Sequence, residues 1–335
     1  MNKQSFIDQP VSAQSPAKKY YLGLDLGGTN IVAGVVDEEY NILSKNSIPA
    51  NAGRPIEEVT YDMAEISKEA VRQAGLRLGD MSSWGIGVPS CVNPTTNLLV
   101  YANNFGWKNV PIYEHLQKHL SLPIYISNDA NCAAYGEVLA GAAKRHTDAV
   151  MLTLGTGVGG GIILNKKIYS GADNMGAELG HTKLVYNGVQ CTCGQYGCLE
   201  SYCSSTALIR RTKEAVKACP DSLIMEMAGQ DANRINGEIV FDASRKGDAL
   251  AMEIVDEYIS YLAAGISTFI VIFRPQVIIL GGGIAHAGDI LLEPLNKKLF
   301  ACTFAAEEIG IPEVIRAELG NDAGLIGAAF LEKSF

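Results

Sequence analysis

The sequence predicts an α/β protein made of two related lobes that face a shared crevice. The chain has 335 residues, 47% of them apolar, which is more than one hydrophobic core usually spans. A pattern of strand, glycine turn, strand and hairpin occurs near residue 20 and again near residue 149. Each time the glycine turn comes directly after an apolar strand, so both lobes should present a turn of the same kind.

The first occurrence opens with an apolar segment at 20–25 that is typical of a buried strand. Gly27, Gly28 and Thr29 then form a tight turn. Downstream, apolar residues at helical spacing predict a helix over 56–74. The other elements predicted in this half are strands over 31–36, 42–48, 84–88 and 123–127, and helices over 113–120 and 129–143.

The second occurrence repeats that order. The segments LDLGGTNIVAGVVDEEY and LTLGTGVGGGIILNKKIY place glycine and threonine at matching positions, which favours a duplication over a chance recurrence. The elements predicted here are strands over 149–154, 161–164 and 276–280, a glycine turn over 155–161, and helices over 201–218, 248–273 and 322–333. The expected parts are a flexible leader at 1–18, an N-terminal lobe at 19–127 with the closing helix 322–335, and a larger C-terminal lobe at 128–321.

Composition limits the classes of function that the chain can serve. The formal net charge of −9 argues against non-specific binding to nucleic acid, which depends on clustered Lys and Arg. Residues 1–17 contain no apolar core of a signal peptide, and the most lipid-like stretch, 262–273, is too short to span a bilayer. We therefore expect a cytoplasmic protein without a membrane partner, whose eight cysteines are thiols or metal ligands.

Three apolar strands run directly into glycine-rich turns, which indicates a phosphate-bearing ligand. Glycine lets the backbone approach a ligand closely, so adjacent N–H groups can point at phosphate oxygens. One such turn alone would be a weak indication, because a hairpin also needs glycine for structural reasons. The residues concerned are Gly27, Gly28 and Thr29 in the first turn, Gly155, Thr156 and Gly157 in the second, and Gly281, Gly282 and Gly283 in the third.

The glycines at 155, 157 and 160 also match the dinucleotide-binding fingerprint of dehydrogenases. That fingerprint requires a helix directly after the glycines. Here the residues that follow, 161–164, are Gly-Ile-Ile-Leu, which is typical of a strand. The sequence also has no Gly-Lys-Ser/Thr of a P-loop. The sequence therefore favours a nucleotide site made of strand-end turns over a dinucleotide-binding fold or a P-loop fold.

Asp25 ends the first strand, directly before the first glycine turn. A carboxylate there can orient Mg²⁺ and its waters against the β- and γ-phosphates of a nucleotide. Its alternative role is to hydrogen-bond the turn that it precedes. Position alone does not decide between the two roles.

A short glycine-rich segment, 181–198, holds one histidine and three cysteines. An imidazole and three thiolates make a complete tetrahedral set for Zn²⁺, and four protein ligands leave no open position for chemistry. The sequence therefore predicts a structural zinc site, the alternative being a run of surface thiols. The ligands are His181, Cys191, Cys193 and Cys198, and the other cysteines are expected to be packed thiols.

Five segments together resemble the ROK family of repressors, open reading frames and kinases. They are DLGGTN at 25–30, SNDAN at 127–131, the glycine run at 155–161, ELGH at 178–181 and CTCGQYGCLE at 191–200. The similarity covers nearly the whole chain from about residue 20, and the histidine and cysteine signature is specific. Within the family, the sequence looks most like the bacterial glucokinases that contain zinc.

The resemblance implies a duplicated, two-lobed actin-like ATPase fold of the ribonuclease H-like class, with ATP, Mg²⁺ and a sugar in the cleft. It implies phosphorylation of a hexose, with glucose favoured and fructose, N-acetylmannosamine or N-acetylglucosamine as alternatives. Some relatives are sugar-responsive repressors, but these carry a DNA-binding domain where this chain has only about 20 polar residues. A filament-forming actin relative would hydrolyse ATP without sugar. A homodimer is expected from the family.

The resemblance also implies roles for individual residues. Asp129 matches the catalytic base, although an Asp at the start of a helix is also well suited to be an N-cap. His181 would bind zinc through one nitrogen and the sugar through the other. The other sugar contacts would be Gly87, Asn103, Asn128, Asp129, Glu178 and Glu200, with Asn103 favoured over Asn104. In the first phosphate motif, Asn30 stands where many relatives have Lys.

Overall fold

The computed structural model describes residues 18–334, so the predicted leader lies outside the described residues except for Lys18. The strands are β1 (Tyr20–Leu26), β2 (Asn30–Asp37), β3 (Ile42–Pro49), β4 (Met81–Val88), β5 (Leu99–Ala102), β6 (Trp107–Val110), β7 (Ile124–Asn128), β8 (Ala149–Leu154), β9 (Val158–Leu164), β10 (Lys167–Tyr169), β11 (Val277–Gly281) and β12 (Glu313–Arg316). The helices are α1 (Ile56–Gln73), α2 (Ile112–Gln117), α3 (Asp129–Leu139), α4 (Glu200–Cys203), α5 (Ser205–Ala215), α6 (Leu223–Met227), α7 (Gly237–Arg245), α8 (Ala249–Phe273), α9 (Asp289–Cys302), α10 (Ala306–Ile309) and α11 (Ala323–Ala329).

Two five-stranded sheets of identical topology organise the described part of the chain. Their strand orders are β3-β2-β1-β4-β7 and β10-β9-β8-β11-β12. In both, the first three strands form antiparallel hairpins and the next two join in parallel. The duplication predicted from the glycine and threonine spacing is therefore confirmed.

Equivalent residues of the two sheets occupy equivalent register positions. Asp25 in β1 lies beside Gly87 in β4, and Thr153 in β8 lies beside Gly281 in β11. Each pair is at the carboxyl end of parallel strands, which is where α/β sheets bind ligands. The two glycine turns, 27–29 and 155–157, therefore leave their sheets from matching positions.

Each sheet covers a separate apolar core. In the first core, α1 buries Val59, Met63 and Ala70 against β1, β2 and β3, as their helical spacing predicts. The second core is built on α8, whose 25 residues begin after the N-cap Asp248. By length and composition α8 could cross a membrane, but 61% of its most apolar window is buried inside the protein. It is therefore a core helix, as predicted for 262–273.

Helix α11 lies directly against the first sheet and against α3, with glycines at several points of close approach. A Cβ atom on Gly85 would lie 1.7 Å from the Ala328 carbonyl oxygen. A Cβ atom on Gly136 in α3 would lie 2.1 Å from the carbonyl oxygen of Ala323. Helix α11 packs on β1 and β4 of the first sheet and α3 packs on β8 and β9 of the second, so their contact joins the two sheets. The predicted lobe boundaries, including the assignment of the closing helix to the first lobe, stay a prediction.

The Gly85→Ala variant should be markedly destabilised. The added methyl group overlaps a backbone oxygen that no side-chain rotation can move, and overpacking of this kind costs about 1–3 kcal/mol or more. The control is Gly79→Ala, since nothing lies within 4 Å of a Cβ atom built there. Thermal unfolding of both variants should show a lower Tm for Gly85→Ala alone. Equal Tm values would contradict this account of the packing.

Two predicted elements are shorter than the sequence indicated. Ser204 is extended and interrupts the predicted helix 201–218, because its hydroxyl accepts a hydrogen bond from the Ala207 N–H at 3.1 Å and starts a new helix. The second glycine turn is confined to 155–157, since β9 already begins at Val158. The remaining glycines of the run predicted as a turn are therefore in a strand.

The closing helix also differs, and several short elements were not predicted. Helix α11 ends at Ala329, and a 3-10 turn follows over Leu331–Lys333. Strands of three or four residues, such as β5, β6 and β12, are too short to show an alternation in the sequence. Helix α9 contains Pro294 in its interior, which reads as a break.

Candidate active site

A cleft of about 700 Å³ lies between the two sheets and gathers most of the predicted site. Both glycine turns contribute to it, and so does the start of α3. The predicted residues that line it are Asp25, Gly27, Asn128, Asp129, Gly155, Gly157, Glu178, His181, Glu200 and Gly282. Residues separated by more than 250 positions in the sequence thus share one opening.

Other predicted site residues do not line this cleft. Gly87 lies beneath it, where a Cβ atom would be 3.7 Å from the Cα of Asp129. Gly281 is buried in β11, and Gly283 lines a neighbouring cavity instead. Gly28, Thr29, Asn30 and Thr156 line neither cavity. The side chain of Asn103 is outside the part that the structure describes.

Several lining residues were not among the favoured site residues. Asn104, weighed as the alternative to Asn103, reaches the first glycine turn, where its Nδ2 atom is 2.9 Å from the position of a Cβ on Gly28. Thr153 was detectable in principle, because the internal repeat aligns it with Asp25. Asn321 and Gly324 also contribute, and nothing in their local sequence marks them.

Asp129 is the first residue of α3, at the floor of the cleft. The preceding Asn128 is the N-cap: its side-chain oxygen accepts hydrogen bonds from the N–H groups of Ala130 and Asn131 at 2.9 and 3.2 Å. The capping role considered for Asp129 is thus filled mainly by Asn128, although one Asp129 oxygen accepts from the Ala130 N–H at 2.7 Å. The Asp129 side chain also lines the cleft and can face a ligand there.

The cleft holds two carboxylates whose environments disfavour their charged forms. Burial raises the pKa of Asp25 to about 7, and the nearby charge of Asp129 adds to the effect. Burial also raises the pKa of Asp129 to about 6; the hydrogen bond from Ala130 opposes this shift and the charge of Glu178 reinforces it. Two crowded carboxylates at the carboxyl ends of strands fit a site for a hard divalent cation such as Mg²⁺.

The four predicted zinc ligands form one compact cluster. Their ligand atoms all lie within 4.8 Å of one another. The Sγ of Cys191 is 3.7 Å from Nδ1 of His181, and the Sγ atoms of Cys193 and Cys198 are 3.8 Å apart. Tetrahedral zinc with ordinary bond lengths requires about 3.6 Å between N and S and about 3.8 Å between two S atoms. The donor set and its spacing therefore fit Zn²⁺.

The zinc loop, residues 181–198, borders the cleft. His181 lines the cleft while its Nδ1 faces Cys191, which leaves Nε2 available to a ligand. Cys91, expected to be a packed thiol, instead lies beside the cleft residue Glu178, with 3.6 Å between its Sγ and Oε1. Cys219 and Cys302 are exposed, which also corrects the expectation of packed thiols.

A second cavity of about 490 Å³ adjoins the cleft at Gly155. Its walls combine the aromatic ring of Phe241 with polar side chains, among them Asn236 and Arg245. The rest of the lining comprises Ser205, Gly237, Glu238, Asp242, Gly283, Ile284, His286 and Ala287. Of its lining residues only Gly155 and Gly283 were predicted from the sequence, because the others come from separate helices and turns. A mixed apolar and polar slot of this kind suits a flat heterocycle joined to a sugar.

Comparison with known proteins places the whole described chain in one family. The model of the ROK family matches residues 21–334. A glucokinase of Streptomyces coelicolor is 36% identical over 93% of this chain and 97% of its own length. An N-acetyl-D-glucosamine kinase of Haemophilus influenzae is 30% identical over 93% of this chain and 98% of its own length. The crystal structure of a ROK family glucokinase from Streptomyces griseus, in complex with glucose and AMPPNP, has a TM-score of 0.77 at 34% identity and covers 93% of this chain and 98% of that chain.

Proposed function

This chain belongs to the ROK family, and from that premise we propose that it is a cytoplasmic kinase that uses ATP and Mg²⁺ to phosphorylate a hexose. Glucose is the favoured substrate and glucose 6-phosphate the product. One observation carries the proposal: a carboxylate at a helix start, Asp129, shares a single cleft with the glycine turns of two sister sheets. That arrangement offers a proton acceptor directly opposite a phosphate-binding surface.

In the proposed mechanism, Asp129 accepts the proton of the sugar O6 hydroxyl as that oxygen attacks the γ-phosphorus in line. The backbone N–H groups of the two glycine turns offset the negative charge of the transferring group. Asp25 would hold the Mg²⁺ ion, which supplies further charge compensation. Closure of the two lobes excludes water, which would otherwise compete as the phosphoryl acceptor.

The proposed ATP position follows the two adjoining cavities. The adenine and ribose would occupy the second cavity beside Phe241, and the phosphates would pass Gly155 into the cleft. Gly282 supports this path, because its φ of 80° is accessible to glycine and lets the backbone turn towards the ligand.

The sugar would be held by groups that both donate and accept hydrogen bonds. Glu178, His181 and Glu200 line one side of the cleft, and Asn104 and Asn128 line it as well. Carboxylates, amides and an imidazole suit a polyhydroxylated ligand, because each hydroxyl can donate and accept. Gly87 would allow close approach beneath Asp129, and Asn103 stays a proposed contact.

The activity should fall at low pH with the ionisation of Asp129. The base acts as a carboxylate, and its pKa of about 6 means that the active form is lost as the pH drops through that value. Log kcat/KM measured at saturating Mg²⁺ should therefore be flat above about pH 7 and fall with unit slope below about pH 6. Asp25 should not add a second limb, since a bound cation stabilises its charged form. A flat profile down to pH 5 would contradict the assignment.

A coupled assay of ADP release over a panel of sugars tests the proposed function. We expect release that depends on sugar, with the highest kcat/KM for glucose. The panel should include fructose, mannose, N-acetylmannosamine and N-acetylglucosamine, because a relative 30% identical to this chain is an N-acetyl-D-glucosamine kinase. ATP consumption without any sugar would point to a filament-forming ATPase, and sugar binding without turnover would point to a regulator.

The exposed apolar face formed by α8 and the α9–α10 region supports a homodimer. Hydrogen bonds join these helices: among them, the Ser267 hydroxyl donates to the Cys302 carbonyl at 3.2 Å, and the Arg274 guanidinium donates to the Ile309 carbonyl at 2.6 Å. The exposed large side chains on this face are Val271, Ile272, Phe300, Phe304 and Ile309. A cluster of this kind is typical of a protein interface.

We expect the Phe304→Asp variant to be monomeric in sedimentation velocity where the unmodified protein is dimeric. Phe304 is 76% exposed, so the charge should disrupt association without disturbing the fold. The control is Met252→Asp, because Met252 is also exposed on α8 but is not part of this face. An unmodified protein that sediments as a monomer would remove the dimer from the proposal.

A further inference from the structure

Glu200 is bonded at both carboxylate oxygens, and each bond leads to a different part of the site. Its Oε2 accepts a hydrogen bond from the backbone N–H of Val158 at 3.1 Å. Its Oε1 accepts one from the hydroxyl of Thr192 at 2.8 Å, and the Cys191 thiol is 3.4 Å from the same oxygen. The carboxylate therefore bridges the zinc loop and the start of β9.

The hydrogen-bond partner of Glu200 Oε1, Thr192, belongs to the zinc loop. Thr192 lies between two zinc ligands, Cys191 and Cys193, so the ligands on either side of it fix its backbone. Among the described residues, the one other polar contact of the Thr192 hydroxyl is the Cys191 sulfur at 3.9 Å. Its orientation towards Glu200 thus depends on the folded zinc loop.

The partner on the other side is the second glycine turn. Val158 follows Gly157 directly, and a Cβ atom on Gly157 would lie 2.4 Å from Oε2 of Glu200. The turn backbone and the carboxylate are therefore in direct contact. A rotation of Glu200 would remove the only side-chain hydrogen bond that the described structure gives to the Val158 N–H.

We propose that Thr192 is a positioning residue that couples the zinc loop to the phosphate-binding turn through Glu200. The inference rests on the proposed function, in which Glu200 contacts the sugar and the 155–157 turn contacts ATP. The hydrogen bond from Thr192 to Oε1 of Glu200 orients the carboxylate so that Oε2 stays bonded to the Val158 N–H. The Glu200 side chain thereby aligns the sugar pocket with the phosphate pocket. The state of the zinc loop then affects the affinity for both substrates.

The kinetic test compares Thr192→Val with Thr192→Ser. Valine keeps the branched shape and removes the donor, whereas serine keeps the donor. Since a hydrogen bond to a charged group is stronger than a neutral one, Thr192→Val should raise the KM for glucose and for ATP by about five- to tenfold with little change in kcat. Thr192→Ser should restore both values. The control is Thr268→Val, an exposed threonine on α8 that hydrogen-bonds only its own helix.

Hydrogen exchange at the Val158 amide tests the coupling without reference to activity. The amide should exchange faster in Thr192→Val than in the unmodified protein and should return to the original rate in Thr192→Ser. Zinc content should stay at about one ion per chain in all variants. If Thr192→Val loses zinc, Thr192→Ala provides the second comparison at retained metal content.

The outcomes separate the inference from the proposed function. Unchanged Val158 exchange in Thr192→Val overturns the inference, and so does a Thr192→Ser variant that behaves like Thr192→Val. Unchanged KM values in an active Thr192→Val enzyme also overturn it. An unmodified protein without sugar-dependent ADP release defeats the proposed function, while the exchange rates still decide whether Thr192 holds the turn through Glu200.

Discussion

Replacing Asp129 with Asn should lower kcat for glucose phosphorylation by about two to four orders of magnitude, with the glucose KM within a few-fold of its original value. Asparagine has the same shape and keeps an oxygen that can accept the hydrogen bond from the Ala130 N–H, so the start of α3 is preserved. It cannot accept the O6 proton. Single-turnover phosphoryl transfer and equilibrium glucose binding should be measured on the same preparation.

The stability of the Asp129→Asn variant is the first control. Because the folded state raises the pKa of Asp129 to about 6, the ionised form opposes folding, and stability falls as the pH rises from about 4 to about 6. The neutral amide removes this penalty. The free energy of unfolding of the ligand-free variant at pH 7 should therefore be higher by on the order of 1 to 3 kcal/mol. If the variant is inactive and has a lower Tm, its inactivity reflects a damaged fold and not the loss of the base.

The second control separates proton transfer from sugar binding. Glu178 lines the same cleft and is proposed to contact the sugar without accepting a proton from O6. Glu178→Gln should therefore raise the glucose KM more than it lowers kcat. Near-original kcat in Asp129→Asn would make the base assignment wrong.

The sequence was most informative where function depends on adjacent residues at the end of a strand. Asp25 with Gly27, and the cysteines of the zinc loop, are recognisable because their chemistry needs fixed spacing within one short segment. The duplicated sheets were also predictable, since each repeat contains its own strand, turn and hairpin pattern. Local sequence was thus sufficient to predict which residues would lie together in these two groups.

The parts that escaped prediction depend on contacts between distant segments. Apart from Gly155 and Gly283, the second cavity is lined by residues of α7, by the rest of the 3-10 turn Gly283–Ala287 and by Ser205, and none of these carries a motif. In the sequence, Thr192 is only a residue between two cysteines. The fold brings its hydroxyl to Glu200, whose other oxygen accepts from the Val158 N–H. Tertiary packing, rather than propensity, sets each of these features, and one sequence alone does not report it.

Loss of one buried zinc ligand should have the largest effect on stability. Cys198 is fully buried in the zinc cluster, so Cys198→Ser should abolish zinc binding and lower the Tm by on the order of 10 °C. The loop from 181 to 198 contains little regular structure beyond its turns, so we expect a bound metal to contribute much of its fixed shape. Without the metal, Glu178 and Glu200 would no longer be held beside the cleft.

The same loss should appear in the kinetics as a rise in sugar KM, because the loop carries His181 and is flanked by Glu178 and Glu200. Cys193→Ser should act in the same direction. The control is Cys219→Ser, since Cys219 is an exposed thiol outside the cluster. Metal analysis should find about one zinc per chain in the unmodified protein and in Cys219→Ser, but not in Cys198→Ser. A strong chelator should lower the Tm of the first two proteins and leave that of Cys198→Ser unchanged. Pure protein that contains no zinc, and that a chelator leaves unchanged, would mean that the loop holds its shape by hydrogen bonds such as that from the Lys183 ammonium to the Cys198 sulfur at 3.3 Å.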